Sequence, residues 1–181
     1  MLVITGTLFF VHHRGHGGHG VLLIKQKKLY VLCALCGEFP YLCSVMEKFE
    51  LHILGCGSAL PTTRHFATSQ VVNVRDKLYM IDCGEGSQLQ FRKSRLKFSR
   101  LNHIFISHLH GDHCFGLLGL ISTLNLLGRT AELHIHSPKG LEALFVPMLS
   151  FFCRQMTYKV LFHEFETKEP GMIYEDRSLT V

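Results

Sequence analysis

The stretch FISHLHGDHCFG, residues 105–116, sets three histidines and an aspartate within six positions. At the end of an extended strand, residues i and i+2 face the same side, so His108 and His110 can converge on one metal ion. The chain must then turn, and Gly111 suits the tight backbone of that turn. Asp112 and His113 fall where the strand hands over to a helix, displaced from the first pair and able to reach a second ion. Imidazole nitrogens and a carboxylate suit Zn²⁺. Two such ions, typically ~3.5–4 Å apart, clamp a phosphoryl or acyl group, and zinc lowers the pKa of its water toward ~7, which supplies a nucleophile at neutral pH. Asp112 is placed to hold or shuttle the proton. The simpler alternative makes Asp112 a helix N-cap. Capping explains one residue and leaves three histidines without a reason.

The elements that must position this cluster can be read around it. ELHILG (50–55) alternates like a strand and ends in glycine, and SQVVNV and KLYMID flank the charged turn RDK as an antiparallel hairpin. GEGSQLQFRKSRLKF then has helical spacing. HIFISH (103–108) is a short strand, and DHCFGLLGLISTLNLLGR predicts a helix ending near Gly128, with GLLGLISTLNLLG as core beneath the sheet or a dimer contact. AELHIHS reads as a strand, PKGLEALFVPMLSFF as a helix with Pro138 at its start, YKVLFHEF as a strand, and GMIYEDRSLTV as a hairpin. Strands alternating with helices imply a layered α/β (α+β) architecture.

Composition sets the outer bounds. The 181 residues suffice for one domain with a real core, and 47% hydrophobic against 18% charged residues excludes a disordered chain. The net charge is +5. Residues 1–45 carry four basic residues against Glu38, or +3, which leaves +2 for 46–181. That permits an anionic partner without requiring one. Seven cysteines without paired spacing, and no secretory leader or apolar run of ~18 residues, point to reduced thiols in a cytoplasmic protein away from membranes. The character of the chain changes near Met46, a candidate translation start. Before it lies VHHRGHGGHG, followed by CALC (33–36) and Cys43, which lack the second tight pair that an ordered zinc site needs.

H-x-H-x-D-H after a short strand resembles the motif of the metallo-β-lactamase superfamily. Three further stretches narrow the resemblance to its tRNase Z (ribonuclease Z) family: LGCGSALPTTR (54–64), IDCGEGSQ (81–88) and SPKGLEALF (137–145), all in the family's order. The resemblance runs from about residue 50 to the end. It implies an αββα sandwich of two similar halves, of which residues 46–181 hold the first, with 1–45 as an unmatched extension. It also implies a zinc-dependent endoribonuclease that removes 3′ trailers from pre-tRNA by attack of a metal-activated hydroxide on a phosphodiester, and a homodimer. His108 and His110 would bind one zinc, Asp112 and His113 the other, with Asp112 also serving proton transfer and Asp82 orienting the ligand loop by hydrogen bonds. Gly55, Gly57 and Pro61 would shape a loop beside the site, where His65 stands in place of the family's frequent asparagine. The remaining ligands of the family, a histidine, a bridging aspartate and another histidine, belong to the second half, so this chain reads as an incomplete site, weakly active or inactive. Other hydrolases of the superfamily, such as thioesterases, lactonases or small phosphodiesterases, would share HLHGDH without the other stretches.

The other chemistry-bearing residues have plainer readings. His134 and His136 repeat the i, i+2 spacing but sit on an ordinary strand, and His163 on the next, so all three are expected on strand faces. Glu175 and Asp176 fall in a hairpin turn and are expected to be solvated. Glu85 is as suited to capping the first helix as to any other role. Arg92, Lys93, Arg95 and Lys97, with Arg100, form a basic run that is either a solvated face or a contact for RNA phosphates.

Overall fold

The computed structural model describes residues 7–10, 22–26, 49–57, 60, 62–166 and 171–181. The elements are β1 (Thr7–Phe10), β2 (Leu22–Gln26), β3 (Phe49–Gly55), β4 (Ser69–Val74), β5 (Lys77–Ile81), α1 (Ser87–Lys93), β6 (Leu101–Phe105), α2 (Gly111–Cys114), α3 (Gly116–Leu126), β7 (Leu133–Pro138), α4 (Leu141–Phe152), β8 (Val160–Phe165) and β9 (Leu179–Thr180). Strands β3 to β8 form one sheet in chain order, and β1, β2 and β9 form a second, small one. Pro61, Met46, the early histidines and Cys33, Cys36 and Cys43 lie outside the described residues.

The β4–β5 hairpin turns on Arg75 and Asp76, both with positive φ (53° and 64°), which is the twist that a two-residue hairpin requires. From β5 to β8 every neighbour pair is parallel. Parallel neighbours need long crossovers, and here α1, the α2–α3 pair and α4 supply them. Side chains alternate across the sheet, so one set faces the helices. Val71, Met80, Ile104 and Ile135 pack there with Phe91 of α1, Leu117, Leu120 and Ile121 of α3, and Phe145 of α4, all buried. The expected core role of 116–128 holds, although Leu126 and Leu127 at its end are exposed. The opposite face carries Val72, Val74, Tyr79, Ile81 and Phe105 beneath Leu179 and Val181.

Three expectations need correction. The first helix stops at Lys93 instead of running to Phe98, because Arg95 turns the chain at φ 55° and lets Phe98 pack on Phe91 at 4.6 Å. Pro138 ends β7 and does not start α4. That helix begins at Leu141, where Glu164 of β8 accepts hydrogen bonds from the Gly140 and Glu142 N–H groups at 2.9 and 2.8 Å. Asp176 is not solvated. It accepts from the Tyr79 hydroxyl at 2.7 Å, from Lys77 at 3.1 Å and from the Ser178 and Leu179 N–H groups. Burial alone would raise its pKa, but these donors outweigh it and hold the carboxyl well below the usual range.

Candidate metal centre

Because β5 and β6 are parallel neighbours, their carboxyl ends open on the same edge of the sheet. Such edges are where α/β sheets place their sites. Asp82 follows β5 and the 107–113 loop follows β6. The two segments are laced together by their backbones: Asp82 N–H donates to Phe105, Cys83 N–H to His113 at 2.7 Å, and Gly116 N–H to Cys83 at 2.8 Å. A side chain at Gly84 would sit 2.3 Å from the Asp112 carbonyl, and one at Gly116 would sit 2.1 Å from the Gly84 carbonyl. Gly84 of IDCGEGSQ therefore allows the 107–113 loop to close against it. Gly55 and Gly57 act in the same way a layer further out, where Gly57 pairs with Phe66 and the Gly84 N–H donates to the Thr68 carbonyl of the returning strand. Among the described glycines, positive φ occurs at Gly86, Gly128 and Gly140 and not at Gly111. A Cβ at Gly111 would meet only the far edge of the exposed Phe115 ring, which can move aside.

Within the loop, His108, Asp112 and His113 bring one donor atom each within 4.8 Å of one another. The His108 and His113 rings lie 3.8 Å apart, and the exposed His110 stands edge-on to His108 at 4.6 Å. His110 is outside the group of three, and its neighbour is His108. The capping alternative for Asp112 does not hold: His110 is the N-cap of α2, no side chain caps it, and Asp112 lies in the first turn. Glu85 likewise caps nothing at the start of α1, where Gly86 is the N-cap, and is exposed.

Asp82 is buried and held at φ 55°, a conformation aspartate tolerates better than most residues. One of its oxygens accepts the Ser107 N–H at 2.8 Å. The other lies 2.7 Å from Nδ1 of the fully buried His113 and 2.9 Å from the Ser107 hydroxyl. A carboxylate only accepts, so the 2.7 Å contact calls for a proton on His113 Nδ1, and the other ring nitrogen, Nε2, lies 3.4 Å from the Asp112 carboxylate. Burial, with the charge of Asp82 adding to it, pushes the neighbouring thiols up, Cys83 to about 12 and Cys114 to about 11. Both stay protonated at neutral pH, and the donors are nitrogen and oxygen. That set fits a divalent transition ion of the zinc type.

Ser107 was missed by the sequence reading. Its position immediately before His108, at a strand end, was the available signal. The basic residues Arg92, Lys93, Arg95 and Lys97 are all exposed at the end of α1 and just beyond it, with Lys93 over the Phe66 ring at 5.5 Å. The structure does not bring His134, His136 or His163 into the centre; they lie on the sheet face, as expected.

Comparison with known proteins agrees with this geometry. The family model described as Anti-Pycsar protein Apyc1 matches residues 49–150, more than half the chain. Ribonuclease Z of Bacteroides thetaiotaomicron is 83% identical over 136 residues, 75% of this chain and 43% of that protein. The chain belongs to this metallo-β-lactamase-fold family of the ribonucleases Z. Ribonuclease Z of Bacteroides fragilis is 82% identical over the same share of this chain and 45% of its own. Among solved structures, human tRNase Z, short form, superposes with a TM-score of 0.60 at 36% identity, over 63% of this chain and 44% of that one. The chain thus spans less than half the length of the curated relatives it matches. Its fold is the family's, and the resemblance carried by the three stretches is borne out. No helix among the described residues is long and apolar enough to cross a membrane.

Proposed function

We propose that the protein from which this chain comes is a zinc-dependent endoribonuclease of the ribonuclease Z type, which removes 3′ trailers from pre-tRNA. The observation that carries the proposal is the Asp82–His113 pair beside His108 and Asp112, in a chain 60–83% identical to several proteins named ribonuclease Z. His108, His110, Asp112 and His113 are the ligands this chain offers. Zinc, when bound, supplies Lewis acidity and a nucleophile at neutral pH. Asp82 holds His113 in the binding tautomer and orientation, and Asp112 has a carboxylate oxygen placed to take a proton. Arg92, Lys93, Arg95 and Lys97 present exposed positive charge that suits RNA phosphates. A homodimer in the cytoplasm completes the reading. With four ligand side chains on this half, the chain by itself is a weak catalyst or none.

The name of the matched family model belongs to another kind of protein, so a hydrolase of the same fold acting on small phosphodiesters, thioesters or lactones is the reading to test against. The chain is assayed with a trailer-bearing pre-tRNA and with small esters, alone and together with the carboxyl-terminal segment of the Bacteroides thetaiotaomicron relative. Trailer release that needs both segments and is lost in Asp112→Ala supports the proposal. Ester hydrolysis with intact pre-tRNA would overturn it.

A further inference from the structure

The proposed ligand His108 has a neighbour that the metal reading leaves unused. Ser107 Oγ lies 2.9 Å from Asp82 Oδ2 and 3.1 Å from His108 Nδ1. It also lies 3.3 Å from His113 Nδ1, a longer contact than the 2.7 Å that His113 makes to Asp82. A hydroxyl has one proton to give. The carboxylate is the stronger acceptor and the nearer one, so the serine proton goes to Asp82. The serine oxygen is then left to accept, and the group facing it at 3.1 Å is His108 Nδ1, which must carry a proton.

We propose that Ser107 is a positioning residue which relays the Asp82 carboxylate to His108. One buried aspartate thereby sets the tautomer of two histidines, His113 directly and His108 through the serine hydroxyl. His113 Nε2 then faces Asp112 at 3.4 Å, with the His108 ring 3.8 Å from that of His113. The serine N–H, bound to the other Asp82 oxygen at 2.8 Å, fixes the geometry of the relay from the backbone. A carboxylate that orients two ligands by one path each makes their alignment interdependent, which is the task of groups behind a metal site.

This inference rests on the metal reading of the centre, and its test separates the two. Long-range ¹⁵N–¹H spectra of the metal-free chain report the tautomer of each imidazole. In the wild type both His108 and His113 are expected as Nδ1–H forms. Ser107→Ala should release His108 to a mixture of tautomers while His113 keeps its Nδ1 proton, which also shows that the loop is still folded. Ser107→Thr should restore His108, and Asp82→Asn should alter both rings. Apparent Zn²⁺ affinity, measured by competition with a chelating dye, should fall about tenfold in Ser107→Ala and recover in Ser107→Thr. An unchanged His108 signal in Ser107→Ala overturns the relay. A wild-type chain that binds no zinc while showing the expected tautomers overturns the metal reading and leaves the relay standing.

Discussion

Among the described residues lie two groups of histidines, and they differ in what surrounds them. At the strand ends, the His108 ring meets His110 at 79° and His113 at 48°, and His108, Asp112 and His113 bring donor atoms within 4.8 Å of one another. Carboxylates are woven in: Asp82 on His113, and Asp112 facing it. On the face of the sheet away from the helices, cross-strand register sets His103 against His134 and His136 against His163. Those rings are nearly parallel, at 14° to 25° with centroids 4.8–5.5 Å apart. Their nitrogens meet one another, His103 with His136 at 3.2 Å and His134 with His163 at 2.9 Å, and the Tyr174 hydroxyl meets His103. Burial first, then mutual repulsion, lowers the pKa of His103 to about 4 and of His136 to about 3. His103 and His136 are thus neutral, packed rings at neutral pH. A carboxylate that orients a ring, and rings that converge, distinguish a ligand cluster from a histidine-rich wall.

The contrast can be broken most severely at Asp82. Asp82→Ala leaves the Ser107 N–H and hydroxyl and His113 Nδ1 buried with their acceptor gone, at a cost of about 3 kcal/mol of folding stability. Denaturant unfolding of the variant against the wild type measures it. A loss below about 1 kcal/mol would mean that the carboxylate is not the hub of the loop.

Acid acts on the other region, and by a smaller amount. Unfolded imidazoles take up protons near pH ~6.5, while folded His103 and His136 do so only near 4 and 3. Between those limits the unfolded state binds more protons, so stability falls as pH drops from about 6.5 toward 4, and the stack adds no pH dependence above that window. The opposing charge of Asp176 moderates the effect at His103. His136→Phe should flatten the slope of unfolding free energy against pH in this window. An unaltered slope would mean that the stack does not titrate as a buried neutral group.

The candidate metal loop was legible because its four donor residues fall within six positions just past the end of β6, although only His108, Asp112 and His113 bring donor atoms within 4.8 Å of one another. Asp82 was legible through its motif, although only the structure shows that Gly84 and Gly116 let its loop close on the ligands. Ser107 was not, because a serine carries little chemical signal until its three partners are in place. The hub at Asp176 depends on Tyr79, 97 residues away, and on the unmarked return of the chain across the sheet. The histidine stack depends on register between β6, β7 and β8, which local alternation does not specify. Ending α1 early at Arg95 depends on Phe98 finding Phe91, a packing preference that helical spacing hides.

The most direct measurement is a Co²⁺ titration of the purified chain, following the visible absorption of the bound ion, in the wild type, His113→Ala and His136→Phe. The expected result is a band in the wild type and in His136→Phe with affinities within a few-fold of each other, and its loss in His113→Ala. A band that survives His113→Ala and disappears in His136→Phe would contradict the placement of the metal centre at the strand ends and move it to the sheet face.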